Sequence, residues 1–242
     1  MTYEEFLDAL KKAYQDNPKI VSLIRQLVRA SENGTATFAM AQDYALALGK
    51  VIGDTISETG VLSDEEPTYS IEYIANILRP ALTESYELSS EATMMVQDSL
   101  NKKHGINLKA VKPKLDTSRI DNMITEVYNK GYAEHEEAIQ QQISNFNQSA
   151  VDSTIVSNAD FLEHTGVTVK YTRIAESGAC QWCKALEGTY STYEAPDGFF
   201  GHHSNCKCII KLDDMFATGK VNYWTKKYDK AVQEKRIRDI ED

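Results

Sequence analysis

The chain has 242 residues, of which 42% are hydrophobic and 26% are charged, and its formal net charge is -10. These values are ordinary for a globular protein and exclude wholesale disorder; the negative charge argues against a surface that binds nucleic acid over its whole extent. The first residues lack the basic and apolar layout of a secretion signal, and no apolar run approaches the roughly 20 residues that cross a membrane. We therefore expect a protein without a membrane segment, made in a reducing cytoplasm where disulfides are disfavoured.

Helical patterns dominate the first part of the chain. Thr2 and Glu5 have the spacing of a capping box ahead of an apolar helix face. Asn17 suits the N-cap of a second helix and Pro18 its first turn, where the missing N–H does no harm. A third helix is predicted over residues 35–59.

Two further helices are predicted before residue 110. Ser70 is a suitable N-cap for the first of them, and we expect Pro80 to kink or end that helix because proline removes a backbone donor. The second is predicted from Ser90 to about Lys103, with Gly105 ending it. In the third helix, Gly49 and Gly53 would either permit a close helix contact or simply weaken the helix.

The pattern changes in the second half of the chain. The segment 106–116 is predicted to be irregular or a short strand and to mark a seam, after which Asp116 begins another helical region. Residues 167–174 alternate and are rich in β-branched side chains, which favours a strand whose one row ends in Arg173. A second strand is predicted at 208–212.

These elements predict an α+β fold, with a mainly helical N-terminal region and a small mixed α/β C-terminal module that a cysteine cluster staples together. The helical region covers residues 1–110, and the helix plus the module cover 111–222. Residues 223–242 are predicted to form a charged C-terminal helix, whose thin apolar stripe we expect to pack against the body rather than against a partner. That stripe consists of Trp224, Tyr228 and Val232.

All four cysteines of the chain lie in one stretch of 29 residues. Cys180 and Cys183 have the C-x-x-C spacing of a zinc knuckle, in which two thiolates reach one ion through a tight turn. Cys206 and Cys208 follow with one residue between them, and His203 offers an alternative ligand through its imidazole. We predict a closed, structural zinc site made from these five residues.

Other interpretations of the cluster stay open. Two disulfides would form if the protein reaches an oxidising compartment, and a lone C-x-x-C motif is also typical of redox dithiols. Unrelated buried thiols are a third alternative. We favour zinc because a reducing compartment disfavours disulfides and two cysteine pairs exceed what redox chemistry needs.

A catalytic alternative rests on adjacent histidines. His202 and His203 suit a metal-dependent nuclease of the His-Asn-His type, but such a site needs a further ligand downstream, where the sequence offers Asp213 and Asp214. His104 and His164 are distant in sequence, and the chain has neither a nucleophile elbow nor a glycine-rich phosphate loop after a strand. We therefore expect no catalytic residue and no enzymatic activity.

The cysteine region resembles the C-terminal module of tailed-phage minor head proteins, the Mu F-like head-morphogenesis family. The resemblance covers about 40 residues and consists of a C-x-W-C-x-x-L-x-G-T-Y motif followed by F-x-x-H-x-N-C-x-C. The matching residues are Cys180, Trp182, Cys183, Leu186, Gly188, Thr189, Tyr190, Phe200, His203, Asn205, Cys206 and Cys208. Ser204 and Lys207 depart from the family, which often has proline and arginine at these positions.

The resemblance implies a non-enzymatic virion component that acts near the portal vertex in capsid assembly or DNA ejection. Its partners would be the portal protein and the major capsid protein, with a possible contact to DNA. It would reside in the capsid interior or at the portal vertex after assembly in the bacterial cytoplasm. The alternatives are a zinc-dependent nuclease or toxin-like enzyme of a phage or prophage, and a DNA-binding finger, which would need a basic face.

Overall fold

The structure is a computed structural model that describes residues 1–62, 69–203 and 205–217. The protein is mostly helical (66%) and carries a small three-stranded antiparallel sheet near the C-terminal end of the described residues, which confirms the predicted α+β class. None of the helices in these ranges is long and apolar enough to cross a membrane.

Helices and strands follow one another in two blocks. The helices are α1 (Tyr3–Asp16), α2 (Pro18–Glu32), α3 (Phe38–Thr59), α4 (Ile71–Lys103), α5 (Thr117–Lys130) and α6 (Glu136–His164), with a 3-10 turn at Ala133–His135 before α6. The second block contains β1 (Val167–Ile174), α7 (Gln181–Ala185), β2 (Gly188–Ser191) and β3 (Ile209–Ala217). The strand order is β2-β1-β3, so that β1 is central.

Four predicted helix starts, those of α1, α2, α4 and α5, are confirmed because each depends on neighbouring residues alone. Thr2 and Glu5 form a complete capping box, with the Thr2 N–H donating to the Glu5 carboxylate at 2.8 Å. Asn17 accepts from two backbone N–H groups at the start of α2, and Ser70 and Asp116 cap α4 and α5.

Pro80 does not end a helix, so this one of the two outcomes predicted for it is wrong. One helix of 33 residues, α4, runs through Pro80 and through Ser90, where a separate helix was expected. Pro80 and Asn76 are both exposed, so water can satisfy the Asn76 carbonyl that lacks its usual donor, while Ile77 and Leu78 are fully buried in the core. Tertiary packing of the opposite face therefore outweighs the local disturbance.

The segment between α4 and α5 is irregular, and polar side chains hold it. Asp98 accepts from a backbone N–H of the segment at 2.7 Å, and Asn101 donates to one of its carbonyls at 3.0 Å. Asn158 of α6 accepts from the Val111 N–H at 2.8 Å and donates to the Val111 carbonyl at 3.0 Å. The predicted seam is thus fastened to α4 and to α6.

One hydrophobic core joins the helices to the sheet, with buried members from Phe6 in α1 to Leu212 in β3. The predicted close contact of α3 is confirmed at Gly49, where an added Cβ would lie 3.1 Å from the Ser144 Cα of α6. The predicted boundaries at residues 110 and 222 stay predictions, and the predicted helix at 223–242 lies outside the described residues.

Candidate metal centre

The fold brings all five predicted ligands together. Cys180 caps the N-terminus of α7 and Cys183 lies within that helix, whereas Cys206 and Cys208 lie in the loop that leads into β3. Cys183, Cys206 and Cys208 are buried, Cys180 is exposed, and all four cysteines are free thiols. The helix α7 itself was not predicted.

The turn between His203 and Cys206 has a local cause. Asn205 adopts a φ of 59°, a left-handed conformation that asparagine tolerates better than most residues, and the Cys206 N–H donates to the His203 carbonyl at 3.1 Å. The turn returns the chain so that His203 and Cys206 both face α7.

The donor atoms form two overlapping groups that share one sulfur. The Cys183 Sγ lies 3.0 Å from the His203 Nε2 and 3.8 Å from the Cys206 Sγ. The Cys180 Sγ lies 3.4 Å from the same His203 nitrogen. Within each group, Cys180–Cys183–His203 and Cys183–Cys206–Cys208, the ligand atoms lie within 4.8 Å of one another.

Two of these separations, 3.4 Å and 3.8 Å, are close to those around a tetrahedral zinc ion, whereas the 3.0 Å between the Cys183 Sγ and the His203 Nε2 is shorter. Zinc bonds to sulfur and imidazole nitrogen place neighbouring ligands about 3.5 to 3.8 Å apart. Thiolates and imidazoles are also the donors that zinc prefers in structural sites. The residues are therefore positioned to bind a metal ion. Five donors are present for the four positions around such an ion, and His203 and Cys208 are the two candidates for the fourth position.

A buried cation contacts the cluster. Arg173 on β1 is fully buried, and its Nη2 lies 3.8 Å from the sulfurs of both Cys183 and Cys206. The Trp182 ring lies 5.4 Å from the guanidinium carbon and is 43% exposed. The aromatic ring thus shields Arg173 from solvent on that side.

A buried acid–base pair lies on the other side of Cys206. The His202 Nε2 is 2.8 Å from the Asp152 carboxylate of α6, and its Nδ1 is 3.4 Å from the Cys206 Sγ. Burial lowers the pKa of His202, but the charge of Asp152 and the hydrogen bond to it outweigh burial and raise the pKa to about 9. Burial likewise disfavours the Cys206 thiolate, yet the hydrogen bond from His202 lowers the pKa of Cys206 to about 6.

Two amides of the helical bundle bind the backbone of the cysteine loop. Gln42 of α3 donates to the Cys208 carbonyl, and Gln148 of α6 donates to the Cys206 carbonyl, each at 2.8 Å and each buried. The loop is therefore docked on the bundle through its main chain, which fixes the path of the two C-terminal cysteines.

Three residues considered for the nuclease alternative, His202, Asp213 and His164, have other partners. His202 is engaged by Asp152, and the Asp213 carboxylate pairs with Lys211 at 2.8 Å. The side chain of Asp214 lies outside the described residues. His164 contacts a carbonyl in its own helix at 2.6 Å. In the described ranges, no further acidic or histidine side chain joins the two groups of metal donors.

Sequence reasoning named the candidate ligands that the fold brings together, but it missed the residues that contact them and their loop. Asp152, Gln42 and Gln148 lie on helices 50 or more residues away from their partners in the loop. Arg173 is different, because the alternation of β1 already placed a cation in the buried row.

A family of known proteins matches most of the chain. The family described as VG15 protein matches residues 51–231, which is more than half of the chain and includes every donor of the metal centre. No curated protein and no solved structure matches the chain.

Proposed function

The chain belongs to the VG15 protein family, a family of viral and phage proteins, and on that premise we propose that it is a non-enzymatic structural component of a phage virion. The finer proposal is a minor head protein that acts near the portal vertex in capsid assembly or DNA ejection. Its partners would be the portal protein and the major capsid protein, with a possible contact to DNA.

The finer proposal rests on the resemblance of the cysteine region to Mu F-like minor head proteins. A family match accounts for the phage origin, and the motif from Cys180 to Cys208 supplies the link to the head. The resemblance to the Mu F-like family itself stays a prediction.

A structural rather than catalytic role is supported by one observation above all. Three of the four thiols are buried, and the bundle binds their loop through Gln42 and Gln148. Catalytic zinc sites keep one position open for water or substrate, whereas structural sites are closed by four protein ligands. The five donors here exceed the four that closure requires.

The proposed cofactor is a structural zinc ion, held by Cys180, Cys183 and Cys206, with Cys208 or His203 as the fourth ligand. The ion would cross-link α7 to the loop before β3. Arg173 and His202 would support the bound ion, since both place positive charge beside the sulfurs.

The test uses the phage or prophage that encodes the chain. Purified virions would be analysed by quantitative mass spectrometry, and a deletion strain would be complemented with wild type, Cys183→Ser or the matched control Lys207→Ala. We expect the protein in virions at low copy number, co-purification with the portal protein, and failure of Cys183→Ser alone to complement. Absence from virions of a phage that still requires the gene would overturn the proposal.

The enzyme alternative has its own assay. Incubation of the purified protein with plasmid DNA and divalent metal should leave the DNA intact. DNA cutting that disappears in His202→Ala or His203→Ala would replace the structural role with a nuclease.

A further inference from the structure

Arg173 lies at a position where a strand normally carries an apolar side chain. It follows Val169 and Tyr171 in the buried row of β1, and its exposed fraction is 0%. Its Nη1 donates to the Phe199 carbonyl and its Nη2 to the Gly201 carbonyl, at 3.0 Å in the second case. The two carbonyls fix the orientation of the guanidinium fork.

The counter-charge of this cation is not a carboxylate. No Asp or Glu in the described ranges forms an ion pair with Arg173, and neutral carbonyls and an aromatic ring make up its remaining contacts. The groups near it that can carry negative charge are the sulfurs of Cys183 and Cys206, both 3.8 Å from Nη2. A guanidinium stays charged, and burying it without an opposite charge is strongly unfavourable.

Formal charges show how much negative charge each possible state of the cluster would place beside Arg173. A zinc ion with three thiolates and one imidazole carries one net negative charge, and a zinc ion with four thiolates carries two. Arg173 would neutralise the first centre fully and the second in part. Two disulfides or four neutral thiols would leave the buried guanidinium without compensation.

From this geometry we infer that Arg173 is the built-in counter-ion of the metal centre. It is a positioning residue that acts through Cys183 and Cys206, one from each half of the motif, and its positive charge raises the affinity of the chain for zinc. The inference rests on the metal centre proposed above and adds a residue that is not itself a ligand.

The test separates the effect of the positive charge at position 173 from the effect of the side-chain shape. Full-length wild type, Arg173→Met, Arg173→Gln and Arg173→Lys would be stripped of metal and titrated with Co²⁺, whose thiolate charge-transfer absorption reports the ligand set. Zinc affinity would be measured by competition with a chromophoric chelator. The matched control is Arg79→Met, because Arg79 is half-exposed and pairs with Asp121 on the surface.

We expect the two neutral variants to bind zinc about 10- to 100-fold more weakly, which is the usual effect of losing a residue that supports metal ligands. Arg173→Lys should recover most of that loss, and Arg79→Met should stay within about twofold of wild type. The Co²⁺ absorption of the neutral variants should weaken at equal metal concentration.

Three results would overturn the inference. Neutral variants that bind zinc as tightly as wild type would show that the charge is irrelevant. If Arg173→Lys binds zinc as weakly as Arg173→Met, the hydrogen bonds to the two carbonyls matter and the charge does not. The same conclusion holds if none of the three variants folds with zinc, as judged by circular dichroism. If Arg173→Lys alone folds, the need for a positive charge is supported. Wild type that binds neither metal would instead refute the metal centre itself.

Discussion

Removing the two amides that dock the cysteine loop tests how the metal centre is held. Gln42→Met and Gln148→Met keep side-chain length and helix propensity but delete donors that bind the Cys208 and Cys206 carbonyls at 2.8 Å. Each variant leaves a buried carbonyl without this donor, which costs about 1 to 3 kcal/mol of unfolding free energy. Because both carbonyls belong to one loop, we expect the double variant to deviate from additivity.

The assay is guanidinium unfolding of the zinc-loaded protein, followed by far-ultraviolet circular dichroism. The matched control is Gln26→Met, since Gln26 is exposed and bonds only within its own helix, to Ser22. That control should change stability by less than about 0.5 kcal/mol. If Gln42→Met and Gln148→Met also stay within that limit, the loop does not depend on the bundle and the reasoning fails.

Three further predictions follow from the site and its support. Purified protein should carry about one zinc per chain by elemental mass spectrometry; Cys183→Ser should lose most of it because Cys183 belongs to both donor groups, whereas the exposed Lys207→Ala should not. Four titratable thiols without zinc in the wild type would contradict this. Gly49→Ala should lower the unfolding free energy by on the order of 1 kcal/mol, because overpacking against α6 exceeds the gain in helix propensity; an unchanged melting temperature would contradict it. The pKa of His202 is raised from 6.5 to about 9 in the folded protein, so the stabilisation by its pair with Asp152 is complete below pH 6.5 and is lost as pH rises towards 9. The stability difference between wild type and His202→Gln, measured by denaturant titration without metal, should therefore shrink across that range, and a difference that grows would refute the assignment.

Elements fixed by neighbouring residues were predictable from the sequence. The caps at Thr2, Asn17 and Asp116 need only their own side chains and backbone N–H groups two or three positions away, and β1 follows from strict alternation. Pro80 was misjudged because the outcome depended on which face of α4 the core covers, and a single sequence does not reveal that. Gly131 was missed as the end of α5, although its φ of 75° is a conformation that glycine favours.

The clustering of the candidate metal donors was predictable from the sequence, whereas the residues that support them were not. Cysteine and histidine are rare, and their clustering between residues 180 and 208 is visible without any structure. Gln42 is an ordinary helical residue, and its role depends on a partner 166 positions away. Only Arg173 gave a signal, as a cation in a row of buried side chains.

The buried contacts of the cysteine module argue that it is not an independent zinc finger. Residues 167–217 taken alone would expose the apolar row of β1, including Val169 and Tyr171, which is buried in the core shared with the helices. The fragment would also lose Asp152 and both docking amides, and leave polar groups of its loop without partners. A zinc ion bound here would do more than close a loop, because it would join α7 to a segment that Gln42 of α3 and Gln148 of α6 already bind. Metal binding should therefore stabilise the helical bundle together with the sheet, as one cooperative unit.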